Sequence, residues 1–185
     1  MKRRYVIAII TTMCVIGACK NEPIPKPKAE IRLEYPQGQP ASLETENFSF
    51  QYNQLSKAEA NKDQAFTLTY PDMKGAIFIS YKKVTNNIDK LIIDAKRLSY
   101  EHAAKADNIV EQPYVNPEAG VYGALFEVQG NAASQSQFFV TDSVEHFLTG
   151  SVYFYTKPNY DSILPAAAYL QNDIRRIMET LRWKK

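Results

Sequence analysis

The sequence predicts an α+β domain in which an antiparallel sheet of six or seven strands is covered by two amphipathic helices. Several short runs alternate apolar and polar residues, which is typical of half-buried strands, and short turns separate most of them. Two longer stretches instead repeat their apolar residues at helical spacing. Aromatic residues make up 12% of the chain, and this abundance also favours a sheet-rich fold.

Three runs in the first half of the chain predict strands. They are NFSFQYN (47–53), AFTLTYP (65–71) and GAIFISYKK (75–83). In each run, aromatic or aliphatic residues occupy every second position, so one face of the strand is apolar. The turn-forming residues between the second and third runs predict a hairpin.

Residues 85–107 predict an amphipathic helix of about five turns. Asn86 or Asn87 can cap this helix by accepting hydrogen bonds from its first free amides. His102 falls on the apolar stripe, where a buried, hydrogen-bonded histidine is a better interpretation than a metal ligand. The stripe consists of Ile88, Leu91, Ile92, Ala95, Leu98, Ser99, His102 and Ala106.

Four further runs predict strands that follow one another closely. NIVEQPYV (108–115) is interpreted as an edge strand, because its proline cannot donate to a neighbouring strand. GVYGALFEVQG (120–130), QSQFFVTD (135–142) and HFLTGSVYFYT (146–156) follow, with short turns between them. Short turns between alternating runs predict an antiparallel meander.

The last part of the chain predicts a second amphipathic helix. Asp161 or Ser162 can cap its start, and Pro165 is expected in the first turn, where its missing N–H carries no cost. The apolar stripe of this helix is Leu170, Ile174, Ile177, Met178 and Leu181.

The chain begins with a leader-like segment. Three basic residues at 2–4 precede the uncharged run Tyr5–Ala18, which suits a secretory signal and is short for a spanning helix. The run ends Ile16-Gly17-Ala18-Cys19, which resembles the lipobox of bacterial lipoprotein signal peptides. The sequence therefore predicts a signal peptide over 1–18, and the alternative is a signal anchor that is never cleaved.

The resemblance to a lipobox implies that the thiol of Cys19 is lipidated and that Cys19 becomes the N-terminus of the mature chain. Cys14 would then be lost with the leader, which argues against a disulfide and against any CxxC metal site. The alternating prolines of residues 20–30 favour an extended tether on the order of 30 Å long. We therefore expect a lipidated tether over 19–30 and a single globular domain over 31–185.

The charge of the chain excludes some classes of partner. The whole chain has 22 basic and 20 acidic residues. Three of the basic residues lie in the leader, so 22 − 3 leaves 19 basic against 20 acidic residues and a formal net charge of −1. Such a balance gives no reason to expect nucleic acid as a partner. The lipid on Cys19 is the membrane contact that the sequence predicts.

The segment TDSVEH (141–146) holds the only grouping with the residue types of a catalytic triad: Asp142, Ser143 and His146. A triad needs the carboxylate on one imidazole nitrogen and the hydroxyl on the other, which a tight turn rarely provides. A hydrogen-bonded turn is the better interpretation, and a hydrolase is the alternative. The carboxylate spacings imply no acid–base pair, and no HExxH or GxSxG motif is present, so the sequence predicts no enzyme, cofactor or metal site.

An aromatic group near the last predicted strand is a candidate partner surface. Tyrosine and phenylalanine cluster there beside small polar residues, and tyrosine is enriched in protein interfaces. Completion of the core is the alternative interpretation. The residues are Phe147, Tyr153, Tyr155, Asn159, Tyr160 and Asp161.

Three stretches together resemble the gliding motility lipoprotein GldD family of the Bacteroidota. They are PIPKPKAEIRLEYP (23–36), ISYKKVTNNIDKLIIDAKRLSYEHAAKADNI (79–109) and the long segment 130–183, from GNAASQSQFF to IMETLRW. The resemblance implies a non-catalytic envelope protein that supports gliding motility and the associated type IX secretion machinery. It also implies protein components of that apparatus as partners.

The order of the predicted elements is also similar to the PsbP/Mog1-type α/β/α sandwich. That similarity implies an alternative function, a periplasmic ligand-binding lipoprotein with a pocket between sheet and helix. Lys20-Asn21-Glu22 follows the lipidated cysteine and resembles neither an inner-membrane retention signal nor a surface-export signal. We therefore expect a membrane-anchored domain that faces the periplasm.

Overall fold

The computed structural model describes residues 33–62, 64–101, 105–157 and 159–184. The predicted signal peptide, Cys19, the tether up to residue 30 and His102 lie outside the described residues. Within the described part of the chain, neither helix has the length and apolarity needed to cross a membrane.

The described residues form ten strands and two α-helices. The strands are β1 (Pro40–Glu44), β2 (Phe48–Asn53), β3 (Lys57–Ala60), β4 (Ala65–Tyr70), β5 (Gly75–Lys83), β6 (Ala106–Asn116), β7 (Val121–Gly130), β8 (Ser136–Thr141), β9 (His146–Phe154) and β10 (Arg182–Trp183), and the helices are α1 (Ile88–Tyr100) and α2 (Tyr160–Thr180).

All strand pairs are antiparallel and belong to two sheets. The larger sheet has seven strands in the order β3-β4-β5-β9-β8-β7-β6, and the smaller has the order β1-β2-β10. The α+β class is therefore confirmed. The predicted β4–β5 hairpin, the β7–β8–β9 meander and the edge position of β6 are confirmed as well.

One face of the larger sheet packs against α2 and β2 to form the main core. The alternation of β5 places Ile77 and Ile79 on this face, where they belong to the same cluster as Leu170 and Ile174 of α2. Phe48 of β2 is packed into that cluster. The predicted apolar stripe of α2, including Leu181 just after its end, is buried throughout.

The opposite face of the sheet packs against α1 in a second, smaller cluster. Leu91 of α1 contacts aromatic residues of β7, β8 and β9. Along these strands the aromatic residues alternate with residues that face the main core. Helices therefore lie on both faces of the sheet. The buried members of this cluster are Val84, Leu91, Ala124, Phe126, Phe139 and Phe147.

The structure corrects several details of the predicted elements. Helix α1 ends at Tyr100, and Ala106, which was predicted to lie in the helix, instead begins β6 and pairs with Gly130. Arg182 and Trp183 are not helical but form β10 against β2. Strands β1, β3 and β10 were not predicted, because they are only two to five residues long and lack a run of alternating large apolar residues. The described residues form ten strands, so the predicted six or seven was too few.

The predicted helix caps are also corrected. The side-chain oxygen of Asn87 accepts from the Thr85 backbone N–H and not from α1. Helix α2 begins at Tyr160, so Asp161 lies in its first turn and Asn159 occupies the cap position without a side-chain bond. Pro165 therefore lies in the second turn and not in the first. At that position its missing N–H removes one helical hydrogen bond.

Candidate functional site

The turn between β8 and β9 is held together by Asp142. One carboxylate oxygen, Oδ1, accepts the backbone N–H groups of Val144, Glu145 and His146 at 2.8–2.9 Å. Burial acts to raise the pKa of Asp142, but these amides and the nearby imidazole outweigh it, so the pKa lies below its ordinary value. The carboxylate is therefore engaged with the backbone of its own turn.

The imidazole of His146 is held by two other aromatic residues. Its Nδ1 lies 2.8 Å from the hydroxyl of Tyr81, and its ring stacks on Trp183. Burial, together with the charges of Asp142 and Glu145, raises the pKa of Tyr81, which keeps that hydroxyl protonated. Nδ1 is thus paired with a tyrosine and not with a carboxylate.

Ser143 completes the turn through its backbone. It has φ = 69°, a left-handed conformation that is uncommon for serine, and its N–H donates to Thr141 Oγ1 at 2.9 Å. Among the described residues, no hydrogen bond joins its hydroxyl to the imidazole of His146. The three triad-type residues therefore build a hydrogen-bonded turn and not a nucleophile–base pair.

The structure separates the aromatic residues of the predicted partner surface. Tyr155 follows β9 and is 60% exposed. Tyr153 is half-buried, and its ring meets Phe78 edge-on with centroids 5.7 Å apart. Phe147, by contrast, is 1% exposed and stacks on Phe139 beneath α1. The ring of Phe147 is core, and a surface formed by this segment does not include it.

The polar members of that surface lie at the start of α2. Asn159 and Asp161 are exposed, and the backbone N–H of Tyr160 donates to Asn131 Oδ1 at 2.9 Å. Burial and the charges of Glu127, Asp107 and Asp161 raise the pKa of Tyr160. This end of the helix is thus tied to the turn between β7 and β8.

An open groove of about 810 Å³ lies beside these residues. Its polar wall includes Lys74 and Lys157, neither of which makes an ion pair with another described residue. The Tyr155 backbone N–H donates to the Lys74 carbonyl at 2.7 Å, so the exposed tyrosine stands next to the groove. The groove is lined by Tyr35, Asp72, Met73, Lys74, Asn131, Thr156, Lys157, Asn159, Ser162, Ile163 and Ala166.

A second cleft, of about 370 Å³, lies between α1 and the sheet. It is lined by Lys82, Leu91, Asp94, Ala95, Arg97, Leu98, Glu101, Phe147 and Thr149. Arg97 is held by Asp94 and Glu101 at 3.3 and 3.8 Å. The side of the cleft formed by the sheet consists of Lys82, Phe147 and Thr149.

A buried polar network that the sequence did not predict lies under α2. Asp173 is 5% exposed, and its Oδ2 accepts from Tyr70 OH at 2.9 Å and from Asn53 Nδ2 at 3.0 Å. Asn53 also donates to the hydroxyl of Tyr169, which in turn donates to the Pro36 carbonyl at 2.7 Å. The network therefore connects the incoming N-terminal segment to the centre of the domain.

Burial governs the ionisation of this network. Loss of solvent raises the pKa of Asp173, against the opposing effects of the bonds from Asn53 and Tyr70 and of the Arg176 charge. Burial and the neighbouring carboxylate raise the pKa of Tyr70 as well. The sequence signal was a carboxylate inside an apolar stripe, since position 173 lies between Leu170 and Ile177 on one helix face.

No described group of three or more histidine, cysteine, aspartate or glutamate residues is arranged to hold a metal ion. The family model described as gliding motility lipoprotein GldD matches residues 20–183. No curated protein and no solved structure matches the chain.

Proposed function

The chain belongs to the gliding motility lipoprotein GldD family, and on that premise we propose that it is a non-catalytic, lipid-anchored protein that supports assembly of the type IX secretion machinery. The family match covers nearly all of the chain that follows Cys19. It makes the protein a gliding motility-related lipoprotein of the cell envelope. Type IX secretion and the absence of catalysis are the further steps of the proposal.

The proposed anchor is the lipid on Cys19. In this arrangement residues 1–18 are removed, 19–30 form the tether, and 31–185 form the domain that faces the periplasm. The basic start, the apolar run and the small residues before the cysteine support it. Two or three acyl chains hold a protein firmly, whereas one chain would be marginal.

The proposed partner surface consists of Tyr153, Tyr155, Asn159, Tyr160 and Asp161. The observation that carries it is the 60% exposure of Tyr155 beside the groove of about 810 Å³. A large ring that protrudes next to a concave polar surface is typical of the anchor residues of protein interfaces. The partner is a protein component of the gliding and secretion apparatus.

A deletion strain tests the anchor and the surface together. Complementation with Cys19→Ala and with Tyr155→Ala should each reduce colony spreading and secretion at unchanged protein level. Val144→Ala is the matched control, because Val144 is 70% exposed and lies beyond the opposite end of β9. Crosslinking in cells should recover an envelope partner with the parent and less of it with Tyr155→Ala. Normal motility and secretion in the deletion strain would overturn the proposal.

The alternative function is a periplasmic ligand-binding lipoprotein with a PsbP/Mog1-like fold. The helices on both faces of the sheet support that fold. The cleft of about 370 Å³ between α1 and the sheet supports ligand binding, since small-molecule sites begin at about 300 Å³. Native mass spectrometry of the protein isolated from its own cells tests this function, and only the unliganded mass in every preparation would count against it.

A further inference from the structure

One buried amide nitrogen beneath α1 lacks a hydrogen-bond partner among the described residues. Gln137 of β8 is 3% exposed, and its Oε1 accepts from the hydroxyl of Ser99 at 3.0 Å. Its Nε2 donates to no atom of the described residues. A buried donor without an acceptor costs about 1–3 kcal/mol, so such groups are rare in folded proteins.

Rotation of the amide by half a turn does not remove the problem. The Ser99 hydroxyl has one proton, and the Ala95 carbonyl lies 3.2 Å away as a second acceptor for it. In the rotated form Nε2 would donate to Ser99, Ser99 would donate to Ala95, and Oε1 would lack a donor. In both orientations one polar atom of Gln137 has no partner among the described residues.

The unpaired amide lies at the inner end of the α1 cleft. Gln137 lines a small cavity of about 10 Å³ together with Ala95, Leu98 and Thr149. The same three residues also line the larger cleft of about 370 Å³, so the two spaces adjoin. A single water needs roughly 10–15 Å³. The inner cavity therefore holds no more than one atom group of water size, while the outer cleft has room for a small molecule.

The walls of the cleft select the chemistry of that molecule. Leu98 provides exposed apolar surface, the nearly buried Leu91 and Phe147 form the floor beneath it, and Thr149 provides one hydroxyl. Arg97 is already paired with acidic neighbours on its own helix. Lys82 lines the outer cleft only, and no charged side chain lines the inner cavity. A charged group at the inner end would therefore lose its hydration without an opposite charge beside it, whereas a neutral carbonyl would accept from Gln137 at little cost.

We propose that the cleft between α1 and the sheet binds a small, largely apolar molecule whose neutral carbonyl oxygen accepts a hydrogen bond from Gln137 Nε2. Its apolar part lies against Leu91, Leu98 and Phe147. This inference rests on the alternative function above and is independent of the surface around Tyr155.

Nuclear magnetic resonance can test the contact directly. The protein is the full mature chain with Cys19→Ser, which carries no lipid and needs no detergent, and the probe is methyl hexanoate. We expect saturable shifts of the Gln137 side-chain amide signals and of the Leu91 and Leu98 methyl signals. Gln137→Leu should weaken binding at least about tenfold, while the thermal midpoint stays the same or rises, because the unpaired donor is removed.

Two further variants complete the design. Leu98→Trp fills the mouth of the cleft from a partly exposed position and should also weaken binding about tenfold, with Gln137 intact. Gln112→Leu is the matched control, since Gln112 lies on β6 at the sheet edge, and its affinity should equal that of the parent.

The inference fails if methyl hexanoate causes no saturable shift, or if Gln137→Leu binds as the parent does. It also fails if a crystal structure shows an ordered water only on Gln137 and the probe does not displace it. If methyl hexanoate does not bind and the deletion strain has a motility defect, the first proposed function remains intact. If methyl hexanoate binds and the deletion strain moves normally, only the ligand-binding function remains.

Discussion

The imidazole of His146 lies flat against the indole of Trp183, with ring centroids 5.0 Å apart and ring planes 7° apart. His146 begins β9, and Trp183 ends β10, so the stack joins the last strand of the chain to the larger sheet. The indole N–H donates to the Gly120 carbonyl at 3.1 Å, and the ring meets Phe48 edge-on. The residues after α2 are therefore part of the packed domain.

Removal of this indole should destabilise the domain. We expect Trp183→Ala to lower the free energy of unfolding by about 3 kcal/mol, because the stack, the bond to Gly120 and the contact with Phe48 are lost together. Trp183→Phe keeps a ring on His146 and should cost about 1 kcal/mol. Urea unfolding should be followed by circular dichroism, since this is the only tryptophan. Equal stability of Trp183→Ala and the parent would show that the stack contributes nothing.

The turn between β8 and β9 provides two substitutions with opposite expected effects. Asp142→Ala leaves three backbone amides without their acceptor and should cost on the order of 2 kcal/mol. Ser143→Gly relieves a left-handed conformation and should add about 1 kcal/mol. Chemical denaturation measures both. A Ser143→Gly variant that is less stable than the parent would contradict this account of the turn.

The buried carboxyl of Asp173 should make stability depend on pH. Its folded pKa is raised, so between the unfolded value of about 3.9 and that raised value the native state binds more protons than the unfolded state. Stability of the parent should therefore fall as pH rises through this window and then level off. Asp173→Asn keeps an acceptor for Tyr70 and Asn53 and should lack this fall.

The measurement for Asp173 is the difference in unfolding free energy between the parent and Asp173→Asn, taken at several pH values from acid to neutral. Other carboxyl groups contribute equally to both proteins and cancel in the difference. A difference that does not change with pH would show that Asp173 titrates alike in the folded and unfolded states.

The packing of the N-terminal segment against the domain should require a glycine at position 38. A Cβ there would lie 1.8 Å from Asn53 Oδ1, so Gly38→Ala must displace Asn53 from Tyr169 and Asp173. We expect a loss of about 1–3 kcal/mol. In a double-mutant cycle with Asn53→Ala, the double mutant should lose less stability than the sum of the two single-mutant losses, because both substitutions disrupt the same network. Strict additivity would contradict the proposed displacement.

Local spacing predicted most elements well, and its failures have physical causes. Strand β3, with the sequence KAEA, is exposed at every position and is a strand only because β4 pairs with it. Helix α1 was predicted to continue to residue 107, but Ala106 pairs with Gly130 and belongs to β6. In both cases a hydrogen-bonded partner strand decides the conformation. The residues of β3 have little strand propensity of their own, and Ala106 fits the helical spacing that precedes it.

In the candidate sites as well, local spacing predicts some features and distant segments decide the others. Phe147 and Tyr153 are an even number of residues apart in β9 and so share one face of the sheet, which the sequence predicts. Helix α1 covers the end that holds Phe147 and leaves Tyr153 half-exposed, and no local pattern states this. The Asp173 network likewise joins residues more than a hundred positions apart.

The sequence by itself determined the family, which rests on the order of residues along nearly the whole chain. It also determined the lipobox pattern at Cys19 and the alternating and helical periods of the main elements, because these depend on residues close together in the chain. The turn formed by the triad-type residues was predicted, but the tertiary structure alone decided that Phe147 is core and that Gln137 Nε2 has no hydrogen-bond partner among the described residues. These outcomes depend on which distant segments cover each face and which polar atoms they leave unpaired, and short-range spacing carries no information about either.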